Sequence, residues 1–288
     1  MRNVIFLVAV VLLSTLVSFG QVAAPRPSQK QTITQTVGDA TVSIVYHRPN
    51  VNGRKVWGGL VPYDKVWRSG ANEATVFEVS RDVMIDGKPL PAGKYSLHTI
   101  PGQTGWVVIF NKKSDQWGSF TYDEKLDALR VPVKPVPFPF RESLAYDFET
   151  ITPTSSRVVL HWDKLGVPFT VDIGDIHGRV MPQMREAITT RKPEDPRPLN
   201  QAASYVMTFK VKDSYSDALG WLDTSIGMKE TMGNLSLKAR LLNEQGKTAE
   251  AIVLAEKAVT VGRASTPPAS ADALNQLAET IAEWKAKK

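Results

Sequence analysis

The stretch DVMIDGKPLPAGKYSLHTIPGQTGWVVIF, residues 82–110, decides the fold. Asp82 to Ile85 is a short strand-like run, and Asp86-Gly87 behind it is the dipeptide suited to a two-residue hairpin, since both residues tolerate positive φ. Leu90-Pro91-Ala92-Gly93 turns the chain into Lys94 to Ile100. Pro101-Gly102 and Gly105 bound another turn, and Trp106 to Phe110 follows with the apolar continuity of a buried strand. Turns this dense leave no room for helices between the strands, so the pairing is antiparallel.

The pattern extends both ways. Thr41 to Tyr46 alternates polar and apolar residues, the period of a half-buried strand, and Thr75 to Val79 repeats it. Arg130 to Val133, Leu144 to Thr150, Ser156 to Trp162 and Phe169 to Ile173 complete the series. Residues 39–176 are therefore expected to form an antiparallel β-sandwich or jelly roll. Val131 to Phe140 carries proline at nearly alternate places, which reads as an extended edge or a polyproline connection because proline donates nothing to a ladder.

Past Ile176 the character changes. Residues 177–198 read as a linker holding a short helix, Val180 to Thr190, and helix formers prevail over 199–288. Tyr215 to Ile226 aligns with Thr248 to Val259, placing Ala218 opposite Ala251, close to the ~34-residue tetratricopeptide period. Ala239, Gly246, Ala251 and Ala258 fall where that repeat puts small residues, so an all-α tetratricopeptide-like region is expected.

At the other end, Met1-Arg2-Asn3 leads into the apolar run Val4 to Val17 and then small residues to Ala24. That is the layout of a secretory signal peptide over residues 1–24, shorter in its apolar core than a bilayer span. Export to the periplasm or beyond is expected, with no membrane span once the signal is removed. Residues 25–38, polar with Pro25 and Pro27, read as a linker. The absence of cysteine in the sequence excludes disulfides, thiolate metal sites and a lipoprotein anchor. A net charge of +6, from 35 basic and 29 acidic residues without a basic tract, argues against a nucleic-acid partner.

Few residues carry chemistry. The 4 histidines show no metal-ligand spacing, although His47 and His98 lie on strands that can meet; no metal or cofactor is expected. There is no nucleophile elbow around Ser69, and phosphate-loop and dinucleotide fingerprints are absent. The strongest binding candidates are Arg48, Trp67, Arg68, Asn72, Glu73, His98, Asn111, Trp117 and Tyr122. The aromatic residues offer faces for stacking, and the polar ones directional hydrogen bonds. A plain turn would use the same residues differently: Arg68 neutralising Glu73, Asn72 bonding its own backbone, Trp67 in the core.

Several blocks in order resemble one family: YHRP (46–49), GRKVWGGLVPY (53–63), VWRSGANEAT (66–75), LPAGKYSL (90–97), IPG (100–102), VIFNK (108–112) and QWG (116–118). Over Ala40 to Ile173 the chain is similar to a bacterial secreted family known as domain of unknown function 2911. The resemblance implies an exported protein with a helical, repeat-like tail and no assigned activity. The expected function is a non-catalytic envelope module. Its β domain would bind a small ligand or glycan, and its helical tail would dock a protein. The alternatives are a hydrolase of envelope carbohydrate or ester with Glu73 as acid or base, and a purely structural or assembly role.

Overall fold

The computed structural model describes residues 24–287; the expected signal peptide lies outside them but for Ala24. The chain divides into two compact units, one ending at Gly174 and the other beginning at Asp175.

The first unit is antiparallel β. Among the described residues ten strands run β1 (Gln29–Val37), β2 (Ala40–Arg48), β3 (Thr75–Val79), β4 (Val83–Ile85), β5 (Lys88–Leu90), β6 (Gly93–Ile100), β7 (Trp106–Asn111), β8 (Asp127–Val133), β9 (Val136–Glu149) and β10 (Ser155–Asp172). They form a six-stranded sheet, β1-β2-β3-β6-β7-β8, and a four-stranded sheet, β5-β4-β10-β9. The Asp86-Gly87 hairpin forms as its sequence requires: both residues take positive φ, and Ile85 pairs with Lys88.

Strict alternation assigns the two faces of the larger sheet. Ile44, Tyr46, Phe77, Leu97 and Phe110 are buried toward the smaller sheet, where Phe77 and Phe110 meet Phe169 of β10 at ring-centroid distances of 6.1 and 5.8 Å. At one end of this core four tryptophans gather. Trp57 lies 4.9 Å from Trp106, 5.7 Å from Trp162 and 5.8 Å from Trp67, all edge to face. Each such ring buries some 150–250 Å² and dominates the local packing energy.

Three elements depart from the sequence expectation. Residues 29–37, expected within a linker, form β1, paired throughout with β2. Gln31, Ile33, Gln35 and Val37 share its half-buried to buried face, but two of those four places hold glutamine, so QKQTITQTV lacks the apolar alternation that marks a strand. The proline-rich run joins Leu144–Glu149 in one long β9, and the two segments expected around Gly166 are one continuous β10. Prolines 137 and 139 are tolerated because β9 is a sheet edge.

The second unit is all helical among the described residues: α1 (Ile176–Thr190), α2 (Arg197–Thr208), α3 (Tyr215–Met228), α4 (Met232–Glu244), α5 (Thr248–Ala264) and α6 (Ala271–Ala286). The helix expected as part of a linker starts earlier, at Ile176, capped by Asp175, whose side chain accepts from Gly178 N. It belongs to this unit, since Met181 is buried with Val206, Ala218 and Leu222. A reciprocal capping box, Thr231 with Asn234, starts α4. Gly246, at φ +80°, turns the chain from α4 into α5. Ala239, Ala251 and Ala258 are fully buried where the two helices face, so close approach rests on the missing side-chain bulk.

Candidate functional site

Opposite the inter-sheet core, the outer face of the six-stranded sheet carries Val45 and His47 of β2, Val76 of β3, Ser96 and His98 of β6 and Asn111 of β7. Residues 112–126 fold back toward this face. Two loops then shape a cleft on it.

The first loop, Trp67 to Ala74, is stitched from within. Trp67 N and O exchange hydrogen bonds with Thr99 O and N, both 2.8 Å. Trp67 Nε1 donates to Gly70 O, and Thr75 Oγ1 donates to Ser69 O at 2.9 Å. Ser69 and Asn72 both sit at positive φ, a conformation asparagine tolerates and serine rarely adopts. Gly70 is required by space: a Cβ there would lie 2.9 Å from Thr75 Oγ1 and 3.1 Å from the His47 carbonyl oxygen.

The second loop, around Trp117, is tied to the first. Ala74 N donates to Gln116 O at 2.9 Å and Gly118 N to Asn72 O at 3.1 Å, making Glu73 and Trp117 partners in an isolated antiparallel bridge. Directly opposed residues present their side chains on one side. Both line a cleft of about 760 Å³, together with Arg26, His47, Lys94 and Gln116. Trp117 is 54% exposed there, and Phe120 beyond it 84%.

Arg26 enters from the segment before β1. Its Nη1 donates to Glu73 Oε1 and Oε2, both at 2.8 Å, and its guanidinium carbon lies 5.3 Å from the centre of the Trp117 ring. Asn72 Nδ2 steadies that segment by donating to Ser28 O at 3.2 Å. The hydrogen bonds from Arg26 hold the Glu73 carboxyl below the usual carboxylate range. His47 Nε2 is 3.5 Å from Glu73 Oε2, but burial, outweighing that carboxylate, pushes its pKa down, so it is neutral at pH 7. The contact is therefore a polar one rather than an ion pair. Both Arg26 and Glu73 are about half exposed, and such a pair is worth roughly 0.2–1 kcal/mol.

Beside the cleft lies a closed polar network. His98 is fully buried, its Nδ1 3.1 Å from Ser119 Oγ and its Nε2 3.0 Å from Ser96 Oγ and 3.2 Å from Gln116 Nε2. Burial pushes its pKa down to about 4. Next to it Asp127 accepts from Asn111 Nδ2 at 2.8 Å, Tyr122 Oη at 2.7 Å and Arg130 Nε at 2.6 Å. Burial, with the bond to Asp127, pushes the Tyr122 hydroxyl up to about 12. These groups satisfy one another, and they pin residues 112–126 to the sheet.

The candidate residues thus separate. Glu73 and Trp117 share the cleft, and Asn72 braces its rim. His98, Asn111 and Tyr122 belong to the buried network. Trp67 is stacked at 5.9 Å on Trp162 in the tryptophan cluster. Arg48 Nε donates to Leu144 O, joining β2 to β9. Arg68 is half-buried, its Nε without a hydrogen-bond partner, and it does not pair with Glu73. Other residues of the cleft were not among the sequence candidates. Arg26 and Lys30 fall in the stretch that reads as a linker, and His47, Lys94 and Gln116 reach the cleft only once the strand order is known. Among the described residues no three His, Asp or Glu side chains are placed to hold a metal ion.

Compared with known proteins, the chain matches one family, described as Protein of unknown function (DUF2911), over residues 28–171. No curated protein and no solved structure matches it.

Proposed function

The chain belongs to the DUF2911 family, whose description carries no reaction, and from the geometry of its cleft we propose that it is a non-catalytic, exported ligand-binding module. The observation that carries the reading is the opposition of Glu73 and Trp117 across a backbone bridge. It places an exposed indole face and a carboxylate on one side of a cleft of about 760 Å³. An exposed tryptophan costs hydration unless something covers it, and an aromatic face beside directional polar groups suits a glycan or another small polar ligand. Export is supported by the apolar run after Met1-Arg2-Asn3. No helix among the described residues is long and apolar enough to cross a membrane.

The hydrolase alternative asks Glu73 to act as an acid or base near neutral pH. Arg26 keeps that carboxylate ionised well below neutrality, which suits an anchor better than a general acid. The two sheets support the finer reading of a sandwich. The α4–α5 hairpin with its buried alanines supports the tetratricopeptide-like one. A groove of about 550 Å³ in the helical unit, with Leu219, Leu242 and Val253 among its walls, is where we place the docking of a protein partner.

The test is a titration of neutral oligosaccharides and small metabolites into the purified protein, read by tryptophan fluorescence and calorimetry. Binding lost in Trp117→Ala and weakened in Glu73→Gln, without turnover of the ligand, is the expected result. Turnover abolished by Glu73→Gln would establish the hydrolase instead, and binding indifferent to both changes would move the site elsewhere.

A further inference from the structure

The cleft is already occupied by part of its own chain, and the occupant indicates what it recognises. The Arg26 guanidinium meets both Glu73 oxygens at 2.8 Å and lies 5.3 Å from the centre of the Trp117 ring. A carboxylate at the edge and an indole face beneath are the two contacts that single out a guanidinium, which is planar, permanently charged and weakly hydrated.

The two halves of this arrangement are held differently. Glu73 and Trp117 are fixed to each other by the backbone bridge between their loops, so their spacing does not depend on Arg26. Arg26 stands before the first sheet strand and outside the segment 28–171 that matches the family. Its grip consists of an exposed, screened ion pair and one ring contact. The other charged or titratable groups lining the cleft are Lys30, Lys94, Asp115 and the neutral His47. The two lysines repel a bare cation and favour a guanidinium compound that also carries a carboxylate.

We infer that Glu73 and Trp117 form a recognition site for guanidinium compounds bearing a second, anionic group, and that Arg26 occupies it as an internal stand-in which the ligand displaces. The inference rests on the reading of the cleft as a ligand site and names the ligand class. Because the occupant competes only while it is seated, its removal raises the apparent affinity by the inverse of the unoccupied fraction.

Calorimetry with N-acetyl-arginine, N-acetyl-arginine amide and N-acetyl-lysine on the wild type, Arg26→Ala, Arg26→Ala/Glu73→Gln and Arg26→Ala/Trp117→Ala tests this. Expected is an affinity for N-acetyl-arginine severalfold higher in Arg26→Ala than in the wild type, up to about fivefold, lost in both double variants. The amide and the lysine compound should bind more weakly. Equal affinity in the wild type and Arg26→Ala, or retention in Arg26→Ala/Glu73→Gln, would overturn it. A neutral oligosaccharide that binds through Trp117 while no guanidinium compound binds Arg26→Ala would sink this inference and leave the ligand cleft standing. Arg26→Lys, which keeps the charge but not the planar fork, should release the site partway.

Discussion

Tyr146 N donates to Tyr46 Oη at 3.1 Å, and the two rings meet edge to face with centroids 4.8 Å apart. The contact joins β2 of one sheet to β9 of the other, and Tyr46 Oη passes the chain on by donating to Gln31 Oε1 at 2.8 Å. Tyr46→Phe leaves a buried backbone N–H without its acceptor, at about 1–3 kcal/mol. Tyr146→Phe costs less, because the Ser69 carbonyl it abandons still accepts from Thr75 Oγ1. Urea denaturation should rank Tyr46→Phe below Tyr146→Phe; the reverse order would show that the inter-sheet bond is not what matters.

Acid should weaken the β unit before its carboxylates titrate. His98 stays neutral in the folded state until about pH 4, whereas in the unfolded chain it takes up a proton near pH 6.5. Between those values the unfolded state binds more protons, so stability is fully present above about pH 6.5 and falls as the pH drops toward 4. The loss from His98 is on the order of 2–3 kcal/mol, and His47 and His161, pushed down by their own burial, add in the same direction. Denaturant midpoints compared at pH 7 and 4.5 should show it, with a flatter profile in His98→Gln. Equal slopes in the two proteins would mean that another group controls the acid limb.

One substitution should have opposite signs at two places in the helical unit. Gly246 holds φ +80° between α4 and α5, so Gly246→Ala forces a left-handed alanine and costs about 1–2 kcal/mol. Gly220 lies inside α3 with nothing near the missing Cβ, so Gly220→Ala gains about 0.5–1 kcal/mol of helix propensity. Thermal melts of the single variants decide it, and two shifts of the same sign would contradict the assignment.

Arg26→Ala should barely change stability. The pair with Glu73 is exposed, so the loss stays below about 1 kcal/mol and shrinks further at high salt. A larger fall in the melting temperature, persisting at 1 M salt, would make Arg26 a structural strut.

Much of the fold is legible in the sequence where a segment has a reason to alternate or to turn. TVFEV at 75–79 shows its buried face, and Asp86-Gly87 shows its turn, because each is governed by its own residues. QKQTITQTV does not, since glutamines share its half-buried face with Ile33 and Val37. The site is less legible than the fold. WRSGANE reads as a dense polar cluster, yet Trp67 turns into the core and Arg68 away from Glu73, while Glu73 finds its cation 47 positions away. Single residues announce chemistry, but strand order decides which of them meet.

Beyond β9 the backbone of Leu144, Glu142 and Ser143 is covered by residues 49–51, through Leu144 N to Pro49 O and Val51 N to Glu142 O, both 2.9 Å, and the Asn50–Ser143 bridge. Upstream of that cover stand Pro135, Pro137 and Pro139, which have no N–H to offer an incoming strand. A foreign chain approaching this side therefore meets either an occupied ladder or one with missing rungs. At high concentration in a crowded compartment, the long β9 cannot seed the growth of a shared sheet from one molecule to the next.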